Sequence, residues 1–162
     1  MNQLQICAEE KVDGYSMTES LIRHLRQGIL LVEDTYTIQV ALKMMLKRLG
    51  VKVDSVSNGK EAFEYVRQNQ YALILMDISM PVMDGINSTL LIREWENEHE
   101  MEPSTILAIT NCLNYEEKCL AAGMNDFFEK PMTQEHLKVI IEKWAPALMT
   151  SESNASRSSG IK

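Results

Sequence analysis

Hydrophobic residues recur along this chain in two alternating rhythms. Three short runs carry no polar interruption: Gly28-Ile29-Leu30-Leu31-Val32, Leu73-Ile74-Leu75-Met76 and Ile106-Leu107-Ala108-Ile109. Between them lie longer stretches in which apolar side chains return every three or four positions. An uninterrupted apolar run of strand length predicts a strand buried on both faces, whereas the longer spacing predicts the inner stripe of a helix.

The elements follow in order. Ile38, Leu42, Met45, Leu46 and Leu49 form a helical stripe over 36–49, and Gly50 ends it. Residues 51–56 alternate and predict a strand nearer a sheet edge. Asn58-Gly59 turns the chain into a helix over 61–70 with Ala62, Phe63 and Val66 inward. The run ending at Asp77 is the central strand. Asp84-Gly85 then opens a helix with Ile86, Leu90, Leu91 and Trp95 on one face; its charged end, 94–102, is expected in solvent before Pro103 breaks it. The fourth strand ends at Thr110, and a short helix over 115–122 is closed by Gly123. A fifth strand over 126–129 runs into Lys130-Pro131, and Thr133 starts a last helix carrying Leu137, Ile140, Ile141 and Trp144. Strands alternating with helices through short connections predict an α/β fold: a parallel sheet with helices on both faces and right-handed crossovers.

In a parallel sheet all strand C-termini share one edge, so Glu33, Asp34, Asp77, Thr110 and Lys130 converge there although they are far apart in sequence. Grouped carboxylates repel unless a cation joins them. A hard oxygen-ligand site with few protein carboxylates suits Mg²⁺, which keeps several waters and favours phosphate oxygens. Lys130 adds a positive charge and Thr110 a hydroxyl donor. Together these groups form a clamp for a phosphoryl group on an aspartate, a carboxylate being a known nucleophile in phosphoryl transfer. Asp77, ending the central strand, is the candidate nucleophile. Asp34, Glu33 (through water) and the backbone carbonyl of Ser79 are candidate metal ligands.

The chain has 162 residues, 45% of them hydrophobic, enough for one domain with a core plus tails. Its net charge of -7, with no basic stripe, argues against non-specific nucleic-acid binding. No apolar run reaches the roughly 18 residues a membrane span needs, and no secretory signal opens the chain. Cys7, Cys112 and Cys119 are odd in number and lack metal-type spacing, which fits reduced thiols in a cytoplasmic protein. Residues 1–26 read as an extension with a short amphipathic helix, begun by the capping-box spacing Ser16-Met17-Thr18-Glu19 and carrying His24 as a solvated residue. The Ser-rich stretch 150–162 lacks the apolar surface to offset its ordering entropy and is expected to be disordered.

Val32-Glu33-Asp34, Met76-Asp77 with Met80-Pro81 and Met83-Asp84-Gly85, Thr110, and Lys130-Pro131 stand in order at successive predicted strand ends. In this the chain resembles the receiver domain of two-component response regulators, over 27–149, and in motif style most resembles the receivers of hybrid histidine kinases. The resemblance implies a flavodoxin-like (βα)5 doubly wound sheet with strand order 2-1-3-4-5. It implies that Asp77 takes a phosphoryl group from the phosphohistidine of a sensor histidine kinase or a histidine phosphotransfer protein, with Mg²⁺ required. Transfer and later hydrolysis would be self-catalysed, so the protein is not an enzyme in the ordinary sense. Thr110 and Phe127 match the family's switch pair, which reshapes the surface of the fourth helix, fifth strand and fifth helix for a downstream partner. Asn111 departs from the small residue usual after the switch hydroxyl, and Thr35 from the Asn that often follows the acidic pair. Ser79 and Cys112 occupy the positions where the family tunes phosphoryl lifetime. With only the Ser-rich tail after 149, no attached output domain is expected. The alternative is a pseudo-receiver acting as a phosphorylation-independent interaction module; such proteins typically lose the Asp, the Lys or the acidic pair, all kept here. A metal-dependent phosphatase of small molecules would need a cap or pocket insertion, and none has suitable length.

Overall fold

The computed structural model describes residues 28–111 and 113–149. The expected helix in 1–26 with His24, the tail from 150, and Cys112 lie outside the described residues. Five strands, β1 (Ile29–Val32), β2 (Val53–Val56), β3 (Leu73–Asp77), β4 (Ile106–Thr110) and β5 (Asp126–Glu129), form one sheet in the order β2-β1-β3-β4-β5. All neighbouring pairs are parallel. The helices are α1 (Tyr36–Arg48), α2 (Gly59–Gln68), α3 (Gly85–Glu98), α4 (Glu116–Ala121) and α5 (Gln134–Trp144). This is the flavodoxin-like order, in which the chain reverses direction across the sheet between β1 and β3.

Successive residues of a strand point to opposite faces, and here both faces are covered. Leu30, Val32, Ile74, Met76, Ile106 and Ala108 pack with α2, α3 and α4 through Ala62, Val66, Ile92 and Cys119. Ile29, Leu31, Leu73, Leu75, Leu107 and Ile109 pack with α1 and α5 through Leu42, Leu46, Leu137, Ile140 and Ile141. Two covered faces are the reason the strands carry no polar alternation. The edge strand β2 has no fully apolar run and shows the mixed burial expected of it.

Helix boundaries follow from local capping. α2 starts two residues earlier than its apolar spacing predicts, because the Asn58 side chain accepts a bond from Glu61 N at 3.0 Å while Glu61 Oε2 accepts from Ser57 N at 2.9 Å. α5 opens with a capping box of Thr133 and His136. The short fourth helix is preceded by a 3-10 turn, Leu113–Tyr115.

The third helix corrects the sequence-based expectation. Its buried face is Gly85, Ser88, Thr89, Ile92 and Glu96; of the expected stripe, Ile86 packs against the core half-buried, Leu91 and Trp95 are half-buried and Leu90 is 49% exposed. The buried hydroxyls are satisfied by backbone carbonyls: Ser88 Oγ donates to Gly59 O and Thr89 Oγ1 to Gly85 O, each at 2.8 Å. The charged end is also partly inside. Glu96 is 2% exposed. It pairs with Arg93 at 2.5 Å and accepts the Ser104 N–H at 2.7 Å. Arg93 in turn donates to the carbonyls of Ser104 and Gly123 at 2.8 Å. A polar face can therefore go inward when each group finds a partner. Arg93→Ala would leave the Glu96 carboxylate buried without its counter-charge, and a loss of about 3 kcal/mol is expected in urea unfolding; a loss under about 1 kcal/mol would mean Glu96 is not held by this pair.

Candidate functional site

The site forms where the strand order reverses. β1 and β3 are neighbours with Val32 opposite Met76. The two residues that follow Val32, Glu33 and Asp34, thus arrive beside Asp77 at the end of β3. One carboxylate oxygen from each of Glu33, Asp34 and Asp77 lies within 4.8 Å of the others. Glu33 and Asp77 are buried, at 1% and 6% exposure, whereas Asp34 is open to solvent. Next in the sheet, β4 sets Ile109 opposite Asp77, so the buried Thr110 stands one residue beyond. The Lys130 backbone N–H donates to Thr110 O at 3.0 Å, which carries the Lys130 side chain back over the edge.

Lys130 Nζ lies 2.5 Å from Glu33 Oε2 and 2.8 Å from Asp77 Oδ2. The remaining oxygens are also engaged: Glu33 Oε1 accepts from Thr35 N at 3.1 Å, and Asp77 Oδ1 from Ser79 N at 3.3 Å. Gln39, which carries no site signal in the sequence, pins the end of β1 by donating to Glu33 O and Val56 O, both at 3.1 Å. Its place between Ile38 and Leu42 on α1 looks like an ordinary polar position. Ser79 is exposed in the loop after β3. Within that loop Met83 N donates to Pro81 O at 2.8 Å, making a γ-turn about Val82. Val82 has φ of 69° and is 80% exposed, a strained backbone for a β-branched residue.

The other residues singled out in the sequence surround this centre. Asn111 is exposed and lines a cavity of about 350 Å³ with Thr37, Ala41, Met45, Lys130 and Pro131. Phe127 packs with Tyr115 against the layer of α2, α3 and α4, while Phe128 packs on the opposite layer. Both aromatics are half-buried, so the edge strand β5 presents one ring to each side of the sheet.

Burial alone would lower the Lys130 pKa, but the hydrogen bonds and charges of Asp77 and Glu33 outweigh it and raise it above its ordinary 10.5. The three carboxylates exceed the single ammonium by two negative charges. A divalent cation with oxygen ligands balances that excess, so the donor set fits Mg²⁺. A second group responds to alkali. Tyr71 donates to Asp54 Oδ2 at 2.9 Å; its burial first, then that bond and the carboxylate charge, push its pKa well above 10.0. Both pKa values are raised on folding, so both groups contribute stability that is complete below their ordinary values and lost as pH climbs beyond them. The urea midpoint should therefore fall as pH rises past 10.0 and 10.5, and Tyr71→Phe should delay the onset of the fall; a midpoint unchanged through that range would contradict both assignments.

The model of the response regulator receiver domain matches residues 29–142. Two-component response regulator 24 of Arabidopsis thaliana is 43% identical over 117 residues, covering 70% of this chain and 81% of that protein. Other curated relatives are sensor and histidine kinases, of whose length the chain spans only 5–15%. Among solved structures, the receiver domain of sensor histidine kinase PA1611 from Pseudomonas aeruginosa, with a magnesium ion coordinated in its active-site cleft, is 38% identical with a TM-score of 0.65, covering 74% of this chain and 97% of that one. The receiver domain of Ssk1 in complex with the histidine phosphotransfer protein Ypd1 of Saccharomyces cerevisiae is 26% identical with a TM-score of 0.70, covering 79% and 94%. The chain belongs to the response regulator receiver domain family of two-component and phosphorelay signalling. No helix among the described residues is long and apolar enough to cross a membrane.

Proposed function

We propose that Asp77 is the phosphoacceptor of this receiver and takes its phosphoryl group from a phosphohistidine on a sensor histidine kinase or a histidine phosphotransfer protein. The observation that carries this is the Asp77 carboxylate itself: buried at the end of β3, held by Lys130, and within 4.8 Å of two further acids. In the transfer the phosphorus–nitrogen bond of the donor breaks and a phosphorus–oxygen bond to Asp77 forms. Water later attacks the phosphorus, releasing phosphate and regenerating the carboxylate. Glu33 (through water), Asp34, Asp77 and the Ser79 carbonyl would hold Mg²⁺, which when bound neutralises charge on the phosphoryl oxygens. Lys130, with Nζ 2.8 Å from Asp77 Oδ2, supplies a compact positive charge and orients the carboxylate.

Once Asp77 carries a phosphoryl group, its charge and acceptor oxygens draw the Thr110 hydroxyl toward it. Phe127 follows as the switch aromatic from its half-buried place on the edge strand, and the α4–β5–α5 surface changes. Leu120 on α4 and Val139 on α5 stand 48% and 54% exposed on those elements, apolar contacts for a downstream protein. The phosphodonor is supported by the Ypd1 complex of a relative and the metal by the magnesium of another. The receiver unit spans 27–149 in this reading and works in the cytoplasm. Direct contact with nucleic acid is no part of its role.

Incubation with Mg²⁺ and a small phosphodonor should give one phosphate adduct by intact-mass spectrometry. The adduct should be absent from Asp77→Asn and lost with EDTA. No adduct from either a small donor or a phosphorylated phosphotransfer protein, with Mg²⁺ binding shown separately, would favour a phosphorylation-independent interaction module. Asn111 lines the same cavity as Lys130, and its amide there would donate to the phosphoryl group or crowd the attacking water. Asn111→Ala should then shorten the phosphoryl lifetime by about tenfold, the effect of losing one ground-state hydrogen bond or the obstruction to water; an unchanged decay would remove Asn111 from lifetime control.

A further inference from the structure

Two glycines bracket the segment that closes the loop after β3. On its inner side, Gly85 donates its N–H to Ile78 O at 3.0 Å. A Cβ on Gly85 would fall 2.2 Å from the Asp77 carbonyl oxygen. On its outer side lies Gly59, the first residue of α2, whose N–H donates to Met83 O at 2.9 Å. A Cβ on Gly59 would meet Met83 O and Asp84 O at 2.8 Å and Ser88 Cβ at 2.7 Å. Two of those three atoms are backbone and cannot turn aside. Ser88, fully buried, closes the contact by donating from Oγ to Gly59 O at 2.8 Å. Asp84 is fixed in turn as the cap of α3, accepting from Asn87 N at 2.7 Å. Residues 83–85 are thus pressed between the first turn of α2 and the backbone of Asp77, with no slack on either side. Gly85 is thereby in direct backbone contact with Asp77, and the short loop between them carries Ser79.

We propose that Gly59, with Ser88, is a positioning residue for the metal and phosphoacceptor site: the first turn of α2 is the backstop that sets the loop after β3, and through it Asp77 and the Ser79 carbonyl. Neither residue touches the reacting atoms. Their part is to hold in register the two ligands that come from this loop, while Glu33 and Asp34 are placed independently by β1. This rests on the metal reading above, since the Ser79 carbonyl is counted there as a ligand.

The test uses the full chain and Mg²⁺ alone, titrated while the backbone amides of Ser79 and Gly85 are followed by NMR. Variants are Gly59→Ala, Ser88→Ala and, as a control for general destabilisation, Val66→Ala in the buried face of α2. Gly59→Ala should weaken Mg²⁺ binding roughly tenfold, the scale on which supporting residues affect metal affinity. Ser88→Ala, which keeps its Cβ and loses only the hydroxyl bond, should weaken it less. Val66→Ala should lower the urea midpoint and leave Mg²⁺ affinity unchanged. If Gly59→Ala does not fold, the Ser88→Ala result decides. Parent-like affinity in the folded Gly59→Ala, or an equal loss in Val66→Ala, overturns the proposal. If the parent binds no Mg²⁺, the metal reading fails separately; the Ser79 and Gly85 amide shifts of the metal-free proteins then decide the backstop, which is refuted if Gly59→Ala leaves them at parent values.

Discussion

The pairing of β1 with β3 is the constraint on which the site depends. These strands are separated by a helix, a strand and a second helix in the chain, yet they lie side by side at the point where the strand order reverses. Their register, Val32 opposite Met76, sets the acidic pair level with Asp77. Shifted by one residue, β1 would exchange its two core faces and separate the acids from their partner. The same apolar packing that holds the sheet together thus forces carboxylates into proximity, where their repulsion would otherwise part them. Burial of large side chains on both faces supplies the force, and Lys130 supplies the charge that makes the result tolerable.

Lys130 does this by bridging two elements that the sheet alone does not connect. It reaches from the end of β5 across Thr110 to Asp77 and Glu33, joining the far side of the sheet to its centre. One ammonium between two buried carboxylates leaves the solvent-facing Asp34 side over-charged. The inner half, two carboxylates on one ammonium, keeps one negative charge and the outer Asp34 adds a second, so the cluster as a whole attracts a cation from the solvent side.

Much of this was legible in the sequence. The uninterrupted runs mark three buried strands, and the polar residues that end them are Glu33 and Asp34, Asp77 and Thr110; Lys130 follows the mixed fifth strand. What escaped the pattern has a common physical cause. Ser88 faces inward because its partner is the backbone of Gly59, distant in sequence, and Glu96 because Arg93 and the Ser104 N–H satisfy it, and hydrophobic spacing registers no such satisfaction. Gln39 is silent for the same reason. The γ-turn at Val82 carries neither Gly nor Asn, so nothing local announces its left-handed backbone.

The chain position of Lys130 has a consequence for how the molecule is assembled. A polypeptide emerges from its N-terminus, so β2, β1 and β3 are made before β4 and β5. The first three strands already suffice to bring Glu33 and Asp34 up to Asp77, and they do so while the balancing ammonium is still unmade. A nascent half-sheet therefore carries its electrostatic conflict without its remedy, and the parallel pairings it requires are long-range and slow to close. The lysine that eases the charge at the site also ties the last strand made to the first.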